Sequence, residues 1–179
     1  MACDLSLGRI EPCKDAVGGL KNLFIVNYAD ITSYTYNGTD TDLIETIVGS
    51  ATINAYKYEL KGTNTFDQNI TSSRDNGTTF VEQNLSVILK KQDIATHNEI
   101  KLLSYGRPRV VVEDYNGSFF LMGLEHGAEI QTVAITSGAA MADLSGYTLT
   151  FQAMEKIPAN FIDSSNEAGL LTVGLTVVA

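Results

Sequence analysis

Apolar residues in this chain alternate with polar ones more often than they recur at helical spacing, and Gly, Pro and Asn-Gly punctuate the runs. Residues 20–28 (LKNLFIVNY) predict a strand, with Leu23 and Ile25 on one face and Phe24, Val26 and Tyr28 on the other. Both faces are apolar through its middle, which places it at the centre of a sheet. Residues 31–36 form a weaker strand stopped at Asn37-Gly38. Residues 41–48 fit either a short helix opened by Asp40 or Thr41 or another strand, and the pattern does not decide between them. Residues 51–61 and 80–91 are strands: Tyr56, Tyr58 and Leu60 alternate with Lys57, Glu59 and Lys61, and Leu85, Val87 and Leu89 with Ser86, Ile88 and Lys90.

Between those two strands lies the stretch 61–83, KGTNTFDQNITSSRDNGTTFVEQ. From Thr63 to Thr79 only Phe66 and Ile70 are properly apolar. Loops this long without structure of their own are uncommon in compact domains. The flanking strands predict a hairpin that runs out, reverses at Asn76-Gly77 and runs back. An isolated hairpin is marginal in water, and a second subunit is the natural remedy. The stretch therefore reads as an assembly arm whose interface residues are Phe66, Gln68, Ile70, Arg74, Asn76 and Phe80; the plainer alternative is a mobile surface loop.

Residues 93–105 predict the one helix. Asp93 can cap it, Thr96 with Glu99 offers a second capping-box spacing, Gly106 fits the position just past its end, and Pro108 forbids continuation. Its apolar residues Ile94, Ala95, Ile100, Leu102 and Leu103 form a broad stripe that predicts docking in the core, with Leu103 as an anchor. Residues 109–113 and 118–124 flank an Asp114-Tyr115-Asn116-Gly117 turn and read as a hairpin. Further strands are expected at 128–136, at 147–153 and at 170–178, with 137–146 a small-residue connection and Pro158 a break. Residues 1–19 read as an extended N-terminal segment. The expected fold is mostly β: an antiparallel sandwich or barrel with one packed α-helix and a long projecting hairpin, in a single domain over 1–179.

Composition narrows the function. Of 179 residues, 18% are charged and the net charge is -9, which argues against attraction to nucleic acid and would repel passing DNA, although composition alone favours plain solubility as the reason for it. No apolar run is long enough to span a membrane, and the N-terminus has no secretory core, so assembly in a cytoplasm is expected. The sequons at Asn37, Asn69, Asn76, Asn84 and Asn116 then read as by-products of Asn/Thr richness. Cys3 and Cys13 lack the CxxC spacing and the nearby His of a metal site. In a cytosolic product they read as free thiols, and the spacing also allows a disulfide.

No catalytic constellation emerges. His97 sits among polar helix neighbours, and His126 follows Glu125 in a turn-like LEHGAE stretch. Asp40 and Asp42 lack the glycine and spacing of a calcium loop. Nucleophile-elbow, phosphate-loop and dinucleotide motifs are absent from the sequence. The reading is non-enzymatic, with no cofactor and no metal.

The runs CDLSLGRIEPCKDAVGGLKNLFIVNY, AYKYELKGTNTFDQNITSSRDNGTTFVEQNLSVILKK, YGRPRVVVEDYNGSFFLMGLEHGAE and DLSGYTLTFQAMEKIPANFI resemble virion structural proteins of crAss-like bacteriophages. They are most similar to the ring proteins that build the tail barrel below the portal. The resemblance covers most of the chain and is weaker over 30–50 and after 163. It implies a tail-tube-like β-sandwich, a place in the virion tail, and assembly with itself into a ring, a dodecamer in preference to a hexamer. It also implies adjacent ring or portal proteins as partners, with DNA passing through the lumen; the lack of a long apolar run separately argues for no membrane partner. The competing readings are a head-tail adaptor or stopper and a non-enzymatic β-sandwich binding module.

Overall fold

The computed structural model describes residues 7–179, and its order is β1 (Leu20–Val26), β2 (Ile31–Tyr36), β3 (Leu43–Gly49), β4 (Ile53–Glu59), β5 (Thr65–Ser73), β6 (Thr78–Lys90), α1 (Ile94–Leu103), β7 (Arg109–Asp114), β8 (Phe119–Met122), β9 (Glu129–Thr136), β10 (Gly146–Glu155), β11 (Asn160–Ile162), α2 (Leu170–Val173) and β12 (Leu175–Val178). The strands make two curled sheets, one of eight strands in the order β12-β4-β1-β7-β8-β11-β3-β2 and one of four in the order β5-β6-β10-β9. Pairing is antiparallel except at β3–β11 and β4–β12.

β1 and β7 sit at the middle of the large sheet and feed two cores, because successive side chains point to opposite faces. Leu23, Ile25, Val110 and Val112 meet Leu85, Val87, Tyr147, Leu149 and Phe151 of the small sheet. Phe24, Val26 and Val111 point the other way, into a second core closed by Ile44, Ile53, Phe119, Leu121, Leu170, Val173 and Leu175. Each such side chain contributes roughly 1.5–3 kcal/mol of burial. The predicted central position of the first strand follows from this double duty.

One open choice is settled and three expectations change. The undecided stretch before Gly49 is a strand, β3, in which Ile44 and Ile47 point into the second core. β4 does not run on into the arm: it ends at Glu59 in the large sheet, buried Leu60 begins a crossing, and β5 starts in the small sheet at Thr65. Gly62 (φ 111) and Asn64, whose side-chain oxygen accepts from Ile88 N at 2.8 Å, hold that crossing. The last predicted strand begins as a helix: Asn166 caps a short 3-10 turn leading into α2, and only after Gly174 does the chain become β12. The short β11 follows Pro158, where a break and no strand is expected.

α1 has the predicted cap, with Asp93 Oδ1 accepting from Thr96 N at 2.8 Å. Its docking is lighter than its composition suggests. Ile100 is its one buried residue and Leu103 packs half-buried at the edge of the first core, while Ile94, Leu102 and Tyr105 face out. The helix closes one side of the sandwich between Tyr58 and Tyr147, and the anchor is Ile100 in place of the expected Leu103.

Residues 7–18 carry no regular secondary structure and are exposed; Val17 is tied to Asn116 by hydrogen bonds of 2.9 and 2.8 Å in both directions. Cys13 is exposed, and Cys3 lies outside the described residues.

Candidate functional site

The β5–β6 hairpin is paired from Thr65↔Ser86 to Ser73↔Thr78. β6 also pairs with β10 on its other side, but only as far as Val81↔Glu155. The hairpin therefore has a root inside the sheet and a tip, residues 71–80, whose strands have only each other. Gly77 (φ 62) closes the tip turn, with its N–H on Arg74 O at 3.3 Å. At this φ the left-handed backbone suits glycine, as the Asn-Gly signal predicts.

The six residues predicted to meet a neighbour divide between root and tip. Phe66 is half-buried on its own core, 6.2 Å from the ring of Phe120, which lies 4.7 Å from that of Phe161. Gln68 is occupied too, its Oε1 accepting from Ala159 N at 2.7 Å. Ile70 shares their face yet is 64% exposed, because it lies past the edge of the core. Arg74 and Asn76 are exposed at the turn, and Phe80 is exposed on the opposite face. Ile70 and Phe80 thus present apolar surface on both sides of a two-stranded ribbon.

The small sheet has long edges at both ends. β5 carries one charge, Asp67, and β9 carries one, Glu129; neither has Lys, Arg or Pro. Among the described residues no strand pairs with their outer sides. Natural edges are ordinarily protected by charge, proline, bulges or shortness; of these β9 carries a bulge at Gln131, between Ile130 and Thr132, while β5 pairs with β6 without one. Ile135 of β9 and Phe161 beside the β5 side of the sandwich are each about half exposed.

A concave feature lies at the hairpin root. A cavity of about 380 Å³ is lined by Gln83, Leu124, Glu125, His126, Glu155 and the 156–159 turn. Glu155 is buried, and its carboxylate accepts from Glu125 N at 3.0 Å, from His126 N at 2.8 Å and from His126 Nδ1 at 3.0 Å. The partner of His126 is therefore Glu155 and not the neighbouring Glu125, whose carboxylate takes the Tyr34 hydroxyl. Burial, and then the bond to Glu125, push the Tyr34 phenol above its ordinary value. The lining offers no hydroxyl or thiol nucleophile. Through those bonds Glu155 holds the LEHG turn in place. His97 lies 6.3 Å from Tyr147 on the helix, and Asp40 and Asp42 lend backbone carbonyls to Leu43 and Phe161. Among the described residues no three His, Cys, Asp or Glu side chains are placed to hold a metal, and no helix is long and apolar enough to cross a membrane.

Sequence reasoning missed the buried charges. Arg109 donates from Nε to Leu124 O at 2.8 Å and from Nη1 to Tyr28 O and Ile31 O at 2.9 Å, and stacks 4.5 Å from the Tyr28 ring centre. Glu113 accepts from Lys21 at 2.6 Å and Asn22 at 2.5 Å, and the hydrogen bond to it raises the Lys21 ammonium above its ordinary value. Nothing in a strand-period pattern marks these residues, since their partners are distant backbone groups and side chains. No family model matches the chain and no curated protein is similar to it.

Proposed function

We propose that this chain is a structural subunit of a bacteriophage tail or neck ring, assembling with itself into a closed ring around a DNA conduit. The observation that carries the reading is the pair of unpaired edges at opposite ends of one sheet, each with a single charge and no proline. A contact between two different patches of the same chain repeats head to tail, and it makes a ring when the rotation closes. The strand count fits such a contact. Each neighbouring pair in β5-β6-β10-β9 is antiparallel, so β5 and β9 point in opposite directions. Copies related by rotation about an axis along the strands would set β5 of one beside an antiparallel β9 of the next.

The tip supplies the anchors, Ile70 and Phe80, and the likeness of the quoted segments to tail-barrel ring proteins supplies the setting. That setting favours a dodecamer over a hexamer, in a virion tail assembled in the host cytoplasm. The net charge of -9 suits a conduit through which DNA passes without counterion-release affinity.

Electron microscopy and light scattering of the purified protein test this. The expected result is closed rings for the parent and a folded, non-assembling subunit for Ile70→Asp with Phe80→Asp. A parent that stays monomeric at high concentration, or a double variant that assembles unimpaired, overturns the reading.

A further inference from the structure

Two glutamines face each other across the hairpin, at the register pair Gln68↔Gln83. Both lie on the core-facing side. Each spends its side-chain oxygen on a backbone N–H of a different segment: Gln68 Oε1 accepts from Ala159 N at 2.7 Å, and Gln83 Oε1 accepts from Gly123 N at 3.1 Å. Gln83 and Ala159 also line the cavity at the root, so the two bonds are made at its wall. Gln83 is buried and Gln68 half-buried, in the last stretch before the hairpin leaves the sheet. The next residue of β5 on that face is Ile70, the first that its own core fails to cover.

We infer that Gln68 and Gln83 are positioning residues: a two-point latch that fixes the direction in which the assembly hairpin leaves the domain. This rests on the hairpin being the assembly element. The physical case is geometric. A two-stranded ribbon twists and bends readily, and β10 stops supporting it at Val81. Phe66 packs by apolar contact, which is non-directional. The two hydrogen bonds are directional, and they tie adjacent strands to two separate points, the turn before β11 and the glycine after β8. Gly123 itself has φ 70, and a Cβ there would stand 2.6 Å from Ala128 N, so that anchor has little room to move. A hairpin held at a fixed angle meets its neighbour with less ordering cost than one that swings.

The test compares Gln68→Leu, which fills the space and loses the acceptor, with Gln68→Glu, which keeps an acceptor for Ala159 N. Amide hydrogen exchange is read on the dissociated subunit, and ring formation is read separately by electron microscopy. In Gln68→Leu, the Ala159 amide and the amides of residues 70–80 should exchange about 2- to 10-fold faster. Those of β1 and β7 should not change, and ring formation should need more protein. Gln68→Glu should behave as the parent. Unchanged exchange at the tip in Gln68→Leu, or a Gln68→Glu variant as fast as Gln68→Leu, overturns the latch. Rings that form normally despite a loosened tip would separate the two ideas, leaving assembly intact and removing the latch from it. Gln83→Leu leaves the Gly123 N–H without its acceptor. If that variant unfolds, the Gln68 pair still decides.

Discussion

The two helices invert the usual relation between length and anchorage. α1 has ten residues, a side-chain cap and one buried residue, Ile100. α2 has four residues, no side-chain cap of its own, and two fully buried residues, Leu170 and Val173, in the second core. The long helix leans on the seam of the sandwich, and the short one is a plug in the curl of the large sheet. Helix formation in water favours length and caps, so α1 shows its identity locally. α2 is made helical by what it packs against and by Gly174, which ends it in the left-handed region at φ 114.

The largest effect should come from the end of the short helix. At Gly174 a Cβ would collide with the backbone oxygen of Ile47, and φ is unfavourable for any other residue. Gly174→Ala should cost at least about 3 kcal/mol, measured by denaturant unfolding of the purified protein. A cost under about 1 kcal/mol would show that the plug is loosely seated.

Next come the paired truncations. Leu170→Ala should cost about 3–5 kcal/mol and Ile100→Ala about 2–3 kcal/mol, because the seam can relax around the second site more readily than the core around the first. Equal costs, or the reverse order, would break the contrast. Leu102→Ala, at an exposed position, should change stability by less than about 0.5 kcal/mol.

The smallest effect belongs to the cap of α1. Hydrogen bonds from Thr96, backbone first, hold the Asp93 carboxyl below its ordinary value of 3.8. A group depressed in the folded state stabilises above its unfolded value and loses that contribution as pH falls through the folded one. Helicity of α1 should therefore be constant from neutral pH down to the ordinary carboxylate range and decline only below it. An Asp93→Asn variant keeps a capping oxygen and should lose that acid dependence. Residue-resolved NMR shifts of residues 94–97 across an acid titration would show either outcome.

The same contrast explains how much was legible in the sequence. Caps, turn glycines and two-residue alternation are local signals, and they located α1, the Asn116-Gly117 and Asn76-Gly77 turns, and most strands. α2 was read as strand because Leu171, Val173, Leu175 and Val177 alternate in sequence, while the burial that counts is Leu170 with Val173, one helical turn apart. The switch of sheet at residues 60–64 has no periodic signature, so the alternation alone predicts β4 as a strand of the arm. β11 is only three residues long and depends on β3 and β8 for its existence. At the candidate site, the tip was visible as a polar stretch with two apolar residues. Its division into a latched root and an unsupported ribbon depends on where β10 ends and on the contacts of Gln68 and Gln83, which only the folded chain shows.

The parallel pairing of β12 with β4 has a consequence in time. Leu175 lies beside Ile53 and Val178 beside Tyr56, so β4 has an exposed flank until residues 175–178 have been synthesised. The β3–β11 pair waits similarly for residue 161. Contacts this distant in sequence slow folding, because the intervening chain must be ordered before they form. During translation the nascent chain would thus hold a half-sealed sheet beside other copies of itself. The pairing of β12 then closes that flank, so β4 is an open edge for the whole interval between synthesis of residues 59 and 175.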